Sequence, residues 1–159
     1  SLYYTPATIS SKIDLSSRPQ TLDGLEYLNE ESSEYEVVLY LLKNSHPEDI
    51  LLESVGEWAN AGLISRSTGV PNVLNWPGHE MQWRGEIPEI ENRQADIRAI
   101  FLTTDIDFAK SIMSKYGINY VYIGPRESKT YNKSSNEKFA QFMKIVVDSN
   151  DSKLYYWEN

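Results

Sequence analysis

The alternation of apolar and polar residues along the chain predicts helices and short strands in turn. Apolar residues that recur every three or four positions are typical of one face of a helix, and short unbroken apolar runs are typical of buried strands. The predicted helices lie around Tyr35–Leu42, Trp58–Ser67, Ile90–Phe101, Thr104–Tyr116 and Glu137–Met143. The predicted strands are Ile50–Val55, Val70–Asn75, Ile118–Ile123, Lys144–Val147 and Lys153–Trp157.

Three of the predicted helices carry signals for their buried face or their ends. In the first, Tyr35, Val38, Leu39 and Leu42 fall at helical spacing, which predicts that these four side chains face the core. In the fourth, Thr104 or Asp105 is a candidate N-cap, with Phe108, Ile112, Met113 and Tyr116 on one face and Gly117 where a helix-ending glycine belongs. Ser134 and Glu137 have capping-box spacing before the last helix.

The order of these elements predicts the fold class. Strands that alternate with helices indicate an α/β domain, and unbroken apolar runs are typical of strands in parallel sheets. We therefore expect a three-layer α/β fold with a mainly parallel central sheet, helices on both faces and a C-terminal antiparallel hairpin. Residues 1–20 are predicted to form an extended lead-in, a turn follows at Thr21–Leu25, and residues 21–159 are predicted to form a single domain.

The segment Thr68–Gln94 contains most of the side chains that could bind a ligand or take part in catalysis. It contains glycines and prolines together with Trp76, Trp83, His79, Arg84 and Arg93. Proline lacks a backbone donor and glycine permits positive φ, so we expect a long shaped loop between a strand and a helix. Long loops inside compact domains are usually functional or disordered, and the aromatic residues of this segment favour an ordered, functional loop.

Composition narrows the classes of function. The net charge of -8 argues against a nucleic-acid partner, because phosphate binding requires clustered Lys and Arg. The absence of Cys excludes disulfides and thiol catalysis. No apolar run approaches the roughly 18 residues of a membrane span. The chain begins without Met, and we expect it to be part of a longer protein with a membrane segment upstream.

A set of short motifs carries a resemblance to a known family. In order along the chain they are Thr21–Gly24, Glu53–Gly56, Ile64–Ser65, Thr68–Pro71, Asn75–Glu80, Gln82–Gly85, Arg93–Asp96 and Tyr116–Gly124. Together they resemble the C-terminal soluble segment of the YYY-type membrane proteins of archaea and Chloroflexi, large multi-span proteins that look like GT-C membrane glycosyltransferases. The chain lacks the tyrosine triplet that names this family, and it carries Leu63 where the family pattern predicts an arginine.

The resemblance implies a location, partners and a role. The chain would be an extracytoplasmic domain of a multi-span membrane protein, placed after its last membrane helix. GT-C enzymes transfer a sugar from a polyprenyl-phosphate carrier, with the catalytic carboxylate in a loop between membrane helices. The resemblance therefore implies that this domain shapes the donor or acceptor side of a site that the membrane-spanning part completes. Its partners would be that membrane-spanning part and a polyprenyl-phosphate sugar or a glycan acceptor, and the isolated domain would be inactive.

Seven residues are candidates for ligand binding, while no catalytic residue is identified; the seven are Glu53, Trp76, His79, Glu80, Trp83, Arg84 and Arg93. Ligands of open α/β sheets bind beyond the carboxyl ends of the strands. Glu53 closes one predicted strand, and the loop with His79, Glu80 and Arg84 follows the next. We therefore expect these four side chains to converge on one face.

Each candidate also has a structural interpretation. Glu53, His79 and Glu80 offer ligands for a divalent ion such as Mn or Zn in the full-length protein, but no metal-binding spacing is present and hydrogen bonds to loop backbone are favoured. Trp76 and Trp83 could stack on a sugar ring, although pinning the loop to the core is the favoured interpretation.

The two arginines have alternatives of the same kind. Arg84 could clamp a phosphate or carboxylate, or it could pair with Glu80 or Glu86. Arg93 is expected to pair with Asp96, one helical turn along, rather than with a ligand.

Two other classes of function stay open. One is an interaction module that binds carbohydrate or protein without catalysis. The other is an independent hydrolase with His79 as general base and Glu80 or Glu53 as its partner. It is the less favoured of the two, because the sequence has no GxSxG motif and nothing nominates a nucleophile.

Overall fold

Six α-helices, one 3₁₀ helix and four strands make up the part of the chain that the computed structural model describes, namely residues 25, 28, 32–57, 62–85, 87–131 and 136–158. The elements are α1 (Ser33–Asn44), β1 (Ile50–Leu52), α2 (Leu63–Thr68), α3 (Pro77–Arg84), α4 (Pro88–Leu102), α5 (Ile106–Tyr116), β2 (Ile118–Ile123), α6 (Pro125–Thr130), the 3₁₀ helix (Glu137–Gln141), β3 (Lys144–Ser149) and β4 (Ser152–Tyr156). The predicted lead-in over residues 1–20, the predicted turn except Leu25, Trp58 and Ser134 lie outside the described residues.

The four strands form one sheet in the order β1-β2-β4-β3. The pair β1–β2 is parallel, whereas β2–β4 and β3–β4 are antiparallel. The expectation of a mainly parallel sheet is therefore wrong for the described strands. The C-terminal antiparallel hairpin is confirmed.

The missing parallel pairing traces to Val70–Asn75, which was expected to be a strand. This segment touches β1 through a single parallel bridge between Leu51 and Asn72. The Leu51 N–H donates to the carbonyl of Pro71 at 2.8 Å. Because proline has no N–H to return, the pairing is not extended into a ladder at that position.

Most of the predicted loop Thr68–Gln94 is helical. Pro77 is the first residue of α3 and Pro88 the first residue of α4. At the first position of a helix the N–H has no intrahelical partner, so proline costs nothing there and its fixed φ favours the helix. Gly85, with φ of 79°, separates the two helices. The prolines that suggested a loop thus mark helix starts.

The side chains of β2 divide between two apolar clusters. Val121 and Ile123 belong to a cluster that includes residues of α4 and α5. Tyr120 and Tyr122 belong to a second cluster that includes residues of α1 and α2. Of the residues predicted to face the core from these helices, six are buried: Ile64, Ile97, Ile100, Phe101, Ile112 and Met113.

The predicted buried face of α1 is wrong in part. Val38 is buried as expected, and so are Val37 and Leu41, but Leu39 is 44% and Leu42 is 50% exposed. The run Val37–Leu42 is unbroken in apolar character, so spacing alone does not determine which side of the helix faces inward. Phe108 of α5, also expected inside, is exposed on the first turn of its helix.

The boundaries of α5 and β2 are confirmed. The carboxylate of Asp105 accepts a hydrogen bond from the Phe108 N–H at 3.1 Å, and Gly117 ends α5 with φ of 65°. Strand β2 covers the predicted Ile118–Ile123. The last predicted helix is a short 3₁₀ helix, with Phe139 buried as expected.

Candidate functional site

The carboxyl ends of the two parallel strands are tied together by one buried carboxylate. Glu127 of α6 accepts a hydrogen bond from the Ser54 N–H at 2.9 Å and another from the Gly124 N–H at 3.0 Å. Ser54 lies just after β1 and Gly124 just after β2. This carboxylate therefore fixes the spacing of the strand ends, which is where ligands of such sheets bind.

Glu53 is buried and its carboxylate caps α2. Its two oxygens accept hydrogen bonds from the backbone N–H groups of Ile64 at 3.2 Å and Ser65 at 3.1 Å, and from the side-chain amide of Asn72 at 3.1 Å. The N-cap residue of α2 is Gly62, which has no side chain to perform this role. Burial raises the pKa of Glu53, and these hydrogen bonds oppose the rise. A ligand-binding role for Glu53 stays a prediction.

A cleft of about 570 Å³ opens beside the carboxyl end of β1, and we call it the strand-end cleft. Its walls include Gly56, Glu57, Trp76, Gln94, Arg98 and Tyr131. The Gly56 N–H donates to the Asn75 carbonyl at 3.0 Å, which fixes the segment that leads into α3 beside β1.

Three rings on α3 and its N-cap form an exposed group that we call the aromatic stack: Trp76, His79 and Trp83. The rings of Trp76 and His79 are stacked with centroids 4.7 Å apart. The Trp83 Nε1–H donates to His79 Nε2 at 2.6 Å. Trp83 is 77% exposed, so the interpretation that it pins the segment to the core is wrong for this residue. Trp76 is half-buried and links the stack to the strand-end cleft.

The charged candidates have partners within the protein. Arg84 Nε lies 3.9 Å from Glu80 Oε2, the pairing that the sequence offered as an alternative to ligand binding. The expected pair of Arg93 with Asp96 is wrong. Arg93 donates to the Val73 carbonyl at 3.1 Å. Asp96 instead accepts hydrogen bonds from two residues at the end of α5, which reach it from the neighbouring helix: Lys115 and Tyr116, each at 2.7 Å.

The candidate residues do not form a metal cluster within the described part of the chain, where no three His, Asp or Glu side chains are placed to hold one ion. Glu53 lines a second cavity, of about 630 Å³, together with Ser54, Tyr122 and Arg126. Trp76 lines the strand-end cleft instead. The common ligand-binding face proposed for Glu53, His79, Glu80 and Arg84 stays a prediction.

Residues that sequence reasoning missed also shape the site. Glu127 stands three positions after Gly124 and two after Pro125, a spacing typical of a carboxylate that bonds back to a helix start. That signal was present in the sequence. Arg98 gave no signal, because it lies on an exposed helix face where charged residues are ordinary.

Tyr131, which lines the strand-end cleft, is itself buried. Burial raises the pKa of the Tyr131 phenol, the charge of Glu127 adds to that rise, and the charges of Arg126 and Arg98 oppose it. Arg98 and Tyr131 line the same cleft. None of the ion pairs between described residues involves Arg98. The cleft thus presents a cation that no described residue neutralises by such a pair.

Comparison with known proteins identifies a related fold. No protein-family model matches the sequence, and no curated protein matches it. The structure is similar to the crystal structure of the C-terminal globular domain of an oligosaccharyltransferase from Archaeoglobus fulgidus, with a TM-score of 0.50. The similarity covers 79% of this chain and 97% of that domain at 11% sequence identity. The two chains therefore share a fold. None of the described helices combines the length and apolar character needed to cross a membrane.

The exposure of Trp83 leads to a testable expectation. Trp83→Ala should change the free energy of unfolding by no more than about 0.5 kcal/mol, because the ring contributes little to the core. Trp157→Ala is the matched control: Trp157 is half-buried against Phe142, and its loss should cost about 2 kcal/mol. Urea denaturation of both variants measures the difference. Equal destabilisation would contradict the exposed position of Trp83.

Proposed function

We propose that this chain is an extracytoplasmic domain of a YYY-type membrane glycosyltransferase and shapes the glycan side of a site that the membrane-spanning part completes. The observation that carries the proposal is the position of Trp76, which belongs to the strand-end cleft and to the exposed aromatic stack at once. The fold shared with a globular domain of an oligosaccharyltransferase supports the same class of function. The sequence motifs described above support the choice of family.

The chemistry of the cleft suits a sugar. A sugar ring has an apolar face of C–H groups and an edge of hydroxyl groups, so it needs an aromatic surface beside planar polar side chains. Trp76 supplies the surface. Glu57, Gln94 and Arg98 line the same cleft and supply acceptors and donors for hydroxyl groups. A volume of about 570 Å³ lies within the usual range for small-ligand sites.

The proposal extends to the arrangement of the chain. Residues 1–20 would connect the domain to the membrane-spanning part, and residues 21–159 would form the domain itself. The contribution of α4 and α5 to one apolar cluster and of α1 and α2 to the other supports a three-layer arrangement with the sheet in the middle. The polyprenyl-phosphate carrier would lie with the membrane-spanning part, and a divalent metal would belong there as well.

Glycan binding to the cleft is directly measurable. We expect maltotetraose or mannotetraose to quench or shift the tryptophan fluorescence of the chain and to release heat on titration. Trp76→Ala removes the stacking surface and Arg98→Ala removes a donor for hydroxyl groups, so each should weaken binding about tenfold. Lys43→Ala, on the exposed end of α1, is the control and should bind as the unchanged protein does. The absence of any signal at millimolar concentrations of both glycans would contradict the proposal.

A second candidate is an interaction module that binds carbohydrate or protein without taking part in catalysis. The exposure of Trp83 favours this candidate, because exposed aromatic side chains are typical of binding surfaces. It predicts the same glycan binding, and the two are separated by whether the full-length protein loses sugar transfer when the cleft is altered. The hydrolase gains no support, since His79 Nε2 already accepts the Trp83 N–H.

A further inference from the structure

The outer side of α1 is apolar at its centre, where a surface helix normally carries polar residues. Leu39 is 44% and Leu42 is 50% exposed, while Val37 and Leu41 of the same helix are buried. The run Val37–Leu42 thus makes the middle of α1 apolar on every side. A helix that is apolar all round is normally covered all round, and no described residue covers this side of α1. The outer side of α1 therefore has the character of an interface.

This side of the helix lines an open groove of about 660 Å³ between α1 and β3. Four residues of α1 line the groove at the spacing of a single helix face, and we call them the α1 stripe: Glu36, Leu39, Tyr40 and Lys43. Val146 and Val147 line the groove from β3. Because β3 has a neighbour on only one side among the described strands, the groove runs along an edge of the sheet. Among the described residues it shares no lining with the strand-end cleft.

The charges of the α1 stripe are arranged so that two copies of it complement each other. Glu36 and Lys43 lie seven residues apart, about 10.5 Å along the helix axis, and the apolar part of the stripe lies between them. They are too far apart along the helix to pair with each other, and neither forms an ion pair with another described residue. When two such helices pack antiparallel, Glu36 of each copy lies beside Lys43 of the other copy, and the two apolar centres meet.

We propose that the α1 stripe docks on the α1 stripe of a second copy of this chain and forms a two-fold symmetric dimer. A two-fold interface must be complementary to itself, and an acid and a base on either side of an apolar centre meet that requirement. Pairing of two β3 strands edge to edge is disfavoured, because a bulge between Ile145 and Val147 interrupts the register of β3, and bulges at edge strands oppose further pairing. The helix face therefore makes the contact. The dimer does not depend on the proposed glycan function, because the two surfaces are separate.

Sedimentation velocity measures the dimer directly. From about 1 µM to about 200 µM chain, the sedimenting species should change from a monomer to a dimer, as expected for an interface of modest size. Leu39→Gln should weaken dimerisation at least about tenfold, because the apolar contact is lost twice in each dimer. Glu36→Lys and Lys43→Glu each place like charges together and should also weaken it about tenfold. The double variant Glu36→Lys/Lys43→Glu restores opposite charges and should dimerise within about threefold of the wild type.

Matched controls keep the test specific. Glu89→Lys changes the net charge as Glu36→Lys does, at an exposed position of α4, and should leave the dimer unchanged. The altered side chains are all exposed, so the variants should fold, which far-UV circular dichroism verifies. A chain that stays monomeric over the whole range, equal weakening by Glu89→Lys and Glu36→Lys, or a double variant no better than the single ones would overturn the proposal. No variant alters the strand-end cleft, so failure of glycan binding there remains distinguishable from failure here.

Discussion

Glu53→Ala is expected to lower the free energy of unfolding by about 3 kcal/mol. The carboxylate is buried and accepts hydrogen bonds from Ile64, Ser65 and Asn72. Its removal leaves two backbone N–H groups at the start of α2 without an acceptor. The N-cap residue Gly62 has no side chain that could replace the lost carboxylate. The cost follows from leaving buried donors unpaired rather than from lost packing.

Thermal denaturation measures this effect as a drop in Tm of about 10 °C, given the usual relation for domains of this size. Glu53→Gln should fall between the wild type and Glu53→Ala, because its amide oxygen still accepts while its NH₂ faces backbone donors. Glu57→Ala, exposed four positions along, is the control and should change stability by no more than about 0.5 kcal/mol. A loss of less than about 1 kcal/mol in Glu53→Ala would show that the cap is dispensable and would favour the ligand-binding role.

The elements that could be predicted are those whose end residues themselves determine where the element begins or ends. Asp105 supplies a carboxylate to the first turn of α5, and Gly117 adopts the positive φ that ends it. Both effects are local, so the sequence contains them in full. The same holds for β2 and for the hairpin, where Asn150 adopts a φ of 45° in the turn.

The elements that could not be predicted depend on contacts between distant segments. On one side, the partner of β1 is the segment Val70–Leu74, which contributes a single bridge at Asn72. The apolar character of this segment does not reveal that it forms no ladder of hydrogen bonds with β1. The face of α1 is equally undetermined, because Val37–Leu42 is apolar throughout. In each case packing in three dimensions selects one of several local options.

For the candidate site, the sequence indicated which residues carry polar, charged or aromatic groups but not the contacts that these groups make. The sequence indicated candidate ligand-binding residues after β1 and around Trp76; Trp76 lines the strand-end cleft, whereas Glu53 lines the second cavity. It did not reveal that Glu53 caps α2 or that Glu127 ties the strand ends, because both contacts join residues of separate elements. Residue types indicated which side chains can donate or accept hydrogen bonds or carry charge, and the fold determines which partners those side chains have.

A second large effect is expected at Lys138, which is buried in the 3₁₀ helix. Its Nζ donates to the Phe101 carbonyl at 2.9 Å, in the last turn of α4, and lies 4.7 Å from the centroid of the Phe139 ring. Burial lowers the pKa of Lys138 from its ordinary value of 10.5 to about 8. The charged amine is therefore held in the folded state at a cost on the order of 3 kcal/mol at neutral pH.

This cost makes stability depend on pH in a defined direction. Because the folded-state pKa is below the unfolded value, the unfolded chain binds more protons between the two, and stability rises with pH across that interval. From about pH 7 to about pH 10, the free energy of unfolding of the wild type should rise by about 2 kcal/mol relative to Lys138→Met, which has no amine to titrate.

Buried tyrosines act in the opposite direction at higher pH. Burial raises the pKa of Tyr120 to about 12 and also raises that of Tyr155. These phenols therefore ionise first in the unfolded chain, which lowers stability above about pH 10. The variant carries the same tyrosines, so their contribution cancels in the difference. Urea denaturation of both proteins across this range measures the effect, and parallel curves would show that Lys138 is as well solvated in the folded chain as in the unfolded one.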